Sequence, residues 1–253
     1  MVTHIATPSL ILDSLGGLAV DADAFATLAG AAVVCFLAFA AVGFTVVRLA
    51  GLPVAGYLPA MIFPNCGNMG LPVALFAFGE EGLALGIAYF AVCVTTNFTL
   101  GISIAAGGFS LRRLGGNPIL YAVAVGIVLV ATDTGLPAWL DNTAGLLGGM
   151  AIPLMLLALG VSLAELQVRA VGRSLLLGAA RMGTGTAVGI VVAEGFGLAM
   201  PAYGVLVLTS SMPVAVYTYL FAQQYDGPTE EVAGMIVMST LLSVGRCPRC
   251  CGG

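Results

Sequence analysis

The chain is poor in charge. Of 253 residues only 8% are charged, lysine is absent, and there is a single histidine and a single tryptophan. Soluble domains carry roughly 25% charged residues. At 60% hydrophobic residues and a mean hydropathy of +1.08, a soluble fold of this size has too little polar surface to cover its exterior. Lipid is therefore the expected solvent. The lack of any basic patch excludes nucleic-acid binding. One histidine, His4, and carboxylates confined mostly to short polar stretches exclude the usual intramembrane catalytic sets, a zincin motif, a Ser–His pair or an aspartate pair, so the chain is not read as an enzyme. No phosphate-binding G-x-x-x-x-G-K-[ST] loop occurs, which leaves no ATP-driven pump. The sequence calls for no cofactor.

Cysteine is present but forms no framework. Cys35, Cys66 and Cys93 lie inside apolar runs, where a thiol behaves as a small hydrophobe. Cys247, Cys250 and Cys251 cluster near the end without a second ligand pair, so no metal site is expected. The first twenty residues have neither a basic leader nor an A-x-A site and read as part of a span, not as a cleaved signal.

What charge there is punctuates long apolar runs: 24–47, 49–79, 82–111, 114–132, 142–164, 182–193, 195–225 and 232–245. A membrane helix needs about 20 mostly apolar residues. The runs predict nine spans: 5–20 (broken by Pro8), 24–47, 55–78 (interrupted between Pro64 and Pro72), 82–106, 117–133, 142–164, 171–193, 201–224 (interrupted at Pro213), and one from Pro228 to about Val244. Arg48, Arg112, Arg113, Arg169 and Arg173 fall in alternate connections, which the positive-inside rule assigns to the cytoplasm. The acids Asp226, Glu230 and Glu231 sit on that same predicted side; acids weigh little in this rule.

Two interrupted spans carry the chemistry. In Phe63-Pro64-Asn65-Cys66-Gly67-Asn68-Met69-Gly70-Leu71-Pro72, proline removes a backbone donor and clashes with the preceding turn. The freed carbonyls must be buried in protein or line a wet cavity, and the amides of Asn65 and Asn68 need partners. Thr209-Ser210-Ser211-Met212-Pro213 repeats the pattern downstream with hydroxyls. Paired interrupted spans in two halves of a chain point to a transporter site at mid-membrane, where half-helix ends hold a polar or anionic solute. A plain proline kink is the alternative for either segment alone.

Two charges fall within spans. Asp13 is open to three readings: a proton site, a partner of Arg181, or an interfacial aspartate. Arg181 lies eight residues beyond Arg173, roughly 12 Å along a helix. It either attracts an anion, snorkels, or serves a backbone carbonyl.

The stretch FPNCGNMGLPVALFAFGEEGLALG resembles the fourth-helix signature of the auxin efflux carrier family. GGNPILYAVAVG, GGMAIPLMLLALGVSL, TSSMPVAVYTYLFAQQY and VMSTLLS resemble, in order, its sixth-, seventh-, ninth- and tenth-helix segments. The resemblance implies an all-α transmembrane fold of two inverted five-helix repeats whose fourth and ninth helices cross at their prolines. It implies a first repeat over 1–106 lacking the family's first helix, a cytoplasmic loop over 107–116, and a second repeat over 117–253 with an atypical end. It further implies a secondary transporter of small organic anions such as malate or auxin-like carboxylates, multi-pass in the inner (plasma) membrane, and a homodimer. The site residues it implies are Pro64, Asn65, Asn117, Pro213 and Ile11, with Asn68, Ser210 and Ser211 beside the crossing. The alternative function is a transport-inactive membrane sensor or assembly partner.

Overall fold

In the computed structural model, the described residues are 2–17, 22–101, 103–104, 118–132, 134–166, 171–225 and 227–246, and among them there is no β-strand. A π-helical turn, Val2–Ala6, leads into α1 (Thr7–Gly17). Then follow α2 (Ala22–Leu49), α3 (Val54–Ile62), a π-turn Cys66–Gly70, α4 (Leu71–Thr96) and a π-turn Asn97–Gly101. The second half comprises α5 (Pro118–Thr132), α6 (Ala138–Gly149), α7 (Ala151–Glu165), α8 (Val171–Gly195), α9 (Ala202–Ser210), α10 (Tyr217–Gln224) and α11 (Thr229–Arg246). Among the described residues, four stretches are long and apolar enough to cross a membrane: Asp23–Leu49, Cys66–Gly101, Ala138–Glu165 and Val171–Gly195.

One of those stretches is two arms, not one rod. Gly79 has φ 67°, a left-handed conformation open to glycine. A Cβ built on Gly82 would stand 2.8 Å from the carbonyl oxygen of Ala74, whereas residues eight apart in a continuous helix are about 12 Å apart. The chain thus doubles back at Gly79, and Gly86 packs against Leu71 and Ala74 of the first arm. This matches the boundary expected at Glu80. Pro8 stands where the Val2–Ala6 π-turn gives way to α1. It occupies the first turn of α1, where a missing N–H costs no helical hydrogen bond. The predicted span 142–164 begins earlier, at Ala138, and is interrupted at Met150.

The half-helix α3 stops at Ile62 because Phe63 precedes a proline and is held extended (φ −92°, ψ 114°). Each long helix approaches a half-helix through glycine. Gly43 of α2 lies against Met61 of α3, and Gly185 and Gly189 of α8 lie against Ser210 and Val207 of α9. Leu49, Phe76, Trp139, Leu146 and Leu176 present large apolar side chains outward, as a lipid-facing surface requires. Arg173 of α8 pairs with Glu231 of α11 at 3.3 Å. The polar ends of these two helices therefore share one side of the bundle, as expected for the Arg173 connection and the acids at 230 and 231.

Candidate functional site

The two interrupted helices meet at their breaks. Asn65 N–H donates to the Pro213 carbonyl at 2.7 Å and Ala215 N–H donates to the Phe63 carbonyl at 3.0 Å. Pro64 and Val214 thus form an isolated antiparallel bridge. This two-bond stitch uses backbone groups that the prolines and the extended residues deny to any helix. Val214 N–H donates to Ser239 Oγ of α11 at 3.1 Å, which satisfies the one remaining donor between the stitched pair.

The four half-helix ends at this crossing are arranged by polarity. The C-terminal ends of α3 and α9 meet at Arg181. Its guanidinium donates to the carbonyls of Ile62 (3.4 Å) and Ser210 (3.3 Å), the last residues of the two half-helices. It also lies 4.6 Å from the Phe39 ring centroid. Arg181 is completely buried. Each helix end carries about half a negative charge, so one guanidinium offsets two of them. This placement offsets part of the cost of burying a cation, while Arg181 Nε has no hydrogen-bond partner. Carbonyl partners were one of the readings open for Arg181, and these two bonds supply them. No ion pair joins Arg181 to Asp13. That carboxylate lies instead beside α6, 3.1 Å from where a Cβ on Gly145 would stand.

On the other side of the stitch lie the N-terminal ends: the Cys66–Gly70 turn, which continues into the 71–78 arm, and the start of α10 at Tyr217. Here is a cavity of ≈ 30 Å³, room for about two water molecules. Asn65, Gly67, Asn68, Asn97, Ile119 and Tyr217 are among the residues that line it. Asn65 and Asn97 are each only 5% exposed, and Asn65 Nδ2 and Asn97 Oδ1 have no hydrogen-bond partner. Buried polar groups in native structures are almost always paired. Two orphans of opposite kind on one small cavity mark it as a place for something polar.

The expected site residues divide here. Pro64, Asn65 and Asn68 line the cavity, and Pro213 holds Asn65 from below through its carbonyl. Ser210 faces away, with Oγ bonded to Tyr89 Oη at 3.3 Å, and its carbonyl serves Arg181. Ser211 Oγ turns back on its own helix, donating to the Leu208 carbonyl at 2.8 Å. Ile11 is buried in the apolar core, while its helix reaches the cavity through Thr7. Asn117 lies outside the described residues, although Ile119, two positions on, lines the cavity. Cys66 and Cys93 are free, buried and also on its wall. Asn97 was not singled out in the sequence. It is an amide inside the uncharged run 82–111 and needs a polar partner there as Asn65 does, but no helix-breaking proline marks it.

A larger groove of ≈ 510 Å³ lies between α8 and α11, lined by Leu175, Met182, Met238 and Leu241 among other apolar residues. It offers no polar side chain, and on an outward apolar face lipid chains suffice to fill it.

The sequence profile of the family described as "Membrane transport protein" matches residues 102–248. An uncharacterized transporter of Methanothermobacter thermautotrophicus is 29% identical over 265 aligned positions, covering 98% of this chain and 85% of that protein. Another, of Methanocaldococcus jannaschii, is 26% identical over 200, covering 75% of this chain and 65% of that protein. With that match over more than half its length, and with the crossed, proline-broken helices at its centre, the chain belongs to the membrane transport protein family, that of the auxin efflux carriers.

Proposed function

We propose that this chain is a secondary transporter of small organic anions, malate or auxin-like carboxylates, working by alternating access in the inner (plasma) membrane. The observation that carries this reading is the polarity of the crossing. The negative ends of both half-helix pairs are neutralised by Arg181. The positive ends converge on a cavity where the Asn65 amide presents an unpaired N–H donor. A carboxylate is the group such a pair of N-termini favours. The cavity volume of ≈ 30 Å³ is about tenfold below that of ordinary ligand pockets. This conformation is therefore a closed one, and loading requires the walls to part. The wall carrying Thr7 and Ile119 belongs to α1 and α5, not to the stitched pair, while Asn97 caps the second arm of α4 and is tied to the first arm through the turn at Gly79; parting the walls therefore means moving the stitched pair against α1 and α5. The likeness of the α2–α3–α4 and α8–α9–α10 series, each a long helix followed by a broken one, supports an inverted repeat over 1–106 and 117–253.

The test is uptake of labelled malate and of indole-3-acetate into proteoliposomes holding the purified chain. Asn65→Ala should cut carboxylate flux at least about tenfold and leave insertion intact. A correctly folded chain that moves no carboxylate would sink this reading in favour of a transport-inactive membrane partner.

A further inference from the structure

Asn97 stands at the first position of the Asn97–Gly101 π-turn, which ends the second arm of α4. Widened turns of this kind are concentrated at functional sites. Gly101 makes the arrangement sterically feasible: a Cβ there would come within 2.8 Å of both Asn97 Oδ1 and the ring of Phe63. Gly101 thus lies between the Asn97 side chain and Phe63, the residue that opens the first break. The Asn97 oxygen is buried and takes no hydrogen bond, while Asn65 Nδ2 on the same cavity gives none. A carboxylate accepts hydrogen bonds and donates none. It satisfies Asn65 and the helix N-termini but leaves the Asn97 oxygen orphaned, and repels it.

We infer that Asn97 is a specificity-determining residue that accepts a hydrogen bond from the solute, so that the preferred solute is a carboxylate which also carries a hydroxyl or N–H donor. This rests on the carrier reading above. A site built to bond a donor rejects the analogue that lacks it far more strongly than an apolar pocket rejects a missing methylene. An isosteric leucine at 97 removes the acceptor with little change of volume. It also removes a buried polar group that has no partner in the empty protein, so the unloaded protein gains stability.

Matched solutes that differ only in the donor provide the test: malate against succinate, and indole-3-acetate against 1-methylindole-3-acetate. Uptake of each is measured in proteoliposomes of the unaltered chain, Asn97→Leu and Asn65→Ala, with thermal unfolding of each in detergent. In the unaltered chain the donor-bearing member of a transported pair should move at least about tenfold faster. Asn97→Leu should bring that ratio within about twofold and raise the unloaded Tm by roughly 2–4 °C. Asn65→Ala should slow both members alike. A ratio near one in the unaltered chain, a ratio that survives Asn97→Leu, or a fall in the Tm or the folded yield of Asn97→Leu would each overturn the inference and leave the carrier reading standing. No movement of either member of either pair would overturn both.

Discussion

The two helix breaks look alike in sequence and differ in what their polar groups are left to do. At the second break the hydroxyls are already occupied. Thr209 Oγ1 donates to the Val205 carbonyl, Ser211 Oγ to that of Leu208, and Ser210 Oγ reaches Tyr89. At the first break Asn65 Nδ2 is buried and unpaired. A hydroxyl is short enough to fold back on the preceding turn, which is how serine and threonine settle inside apolar helices; an amide at a break is not placed to do so. The second break therefore has its hydroxyls bound within the protein, and the first keeps an unpaired donor, the one that the proposed carrier would offer its solute.

Four substitutions probe that contrast, from the largest effect to the smallest. Arg181→Met should strip both half-helices of the donor to their last carbonyls, with a loss of about 3–5 kcal/mol expected for breaking a buried charged network. Thermal unfolding in detergent should show this as a marked drop in Tm or a failure to recover folded protein, and an unchanged Tm would refute the double-cap role. Gly185→Ala puts a methyl 2.1 Å from the Ser210 carbonyl oxygen. Overpacking there should cost about 1–3 kcal/mol and should loosen the second break without touching the cavity. A Tm that falls while the relative uptake of different carboxylates is preserved is the expected signature. Asn65→Ala should reduce carboxylate uptake by at least about tenfold, roughly 1.4 kcal/mol, with the unloaded Tm held or raised. If uptake is unaffected, the donor at the first break does not meet the solute. Ser211→Ala should change stability by less than about 0.5 kcal/mol and uptake within error, and a large loss of flux would return the second break to the binding site.

The positions of the breaks were legible because proline withdraws a backbone donor locally and holds the residue before it extended, although not every proline ends a helix: Pro59 sits inside α3 and Pro8 in the first turn of α1. Pro64 and Pro213 were therefore found from sequence alone, and so was the pairing of two broken spans. The turn at Gly79 also left a trace, in Glu80 and Glu81 between two apolar runs. Which polar side chains would be satisfied was not legible, because that depends on neighbours far along the chain. Ser210 and Ser211 drew attention by type, yet their partners are Tyr89 and a carbonyl of their own helix. Arg181 remained open among three roles because its carbonyl partners lie 119 and 29 residues away. One signal was available: two proline-ended half-helices leave two sets of orphan carbonyls, and Arg181 is the cation set deepest in an apolar span. Asn97 was overlooked because no proline stands beside it.

The stitch between Phe63–Asn65 and Pro213–Ala215 has a consequence for how the protein is made. It joins segments about 150 residues apart, and contacts that distant pay the full cost of loop closure before they return anything. The first broken helix must therefore wait in the bilayer, its backbone groups unmatched, until the second has been synthesised and inserted. The cavity comes into being only at that late docking. A chain arrested before residue 213 lacks the partners of the Asn65 N–H and the Phe63 carbonyl, so the first break stays unmatched for as long as the second half is missing.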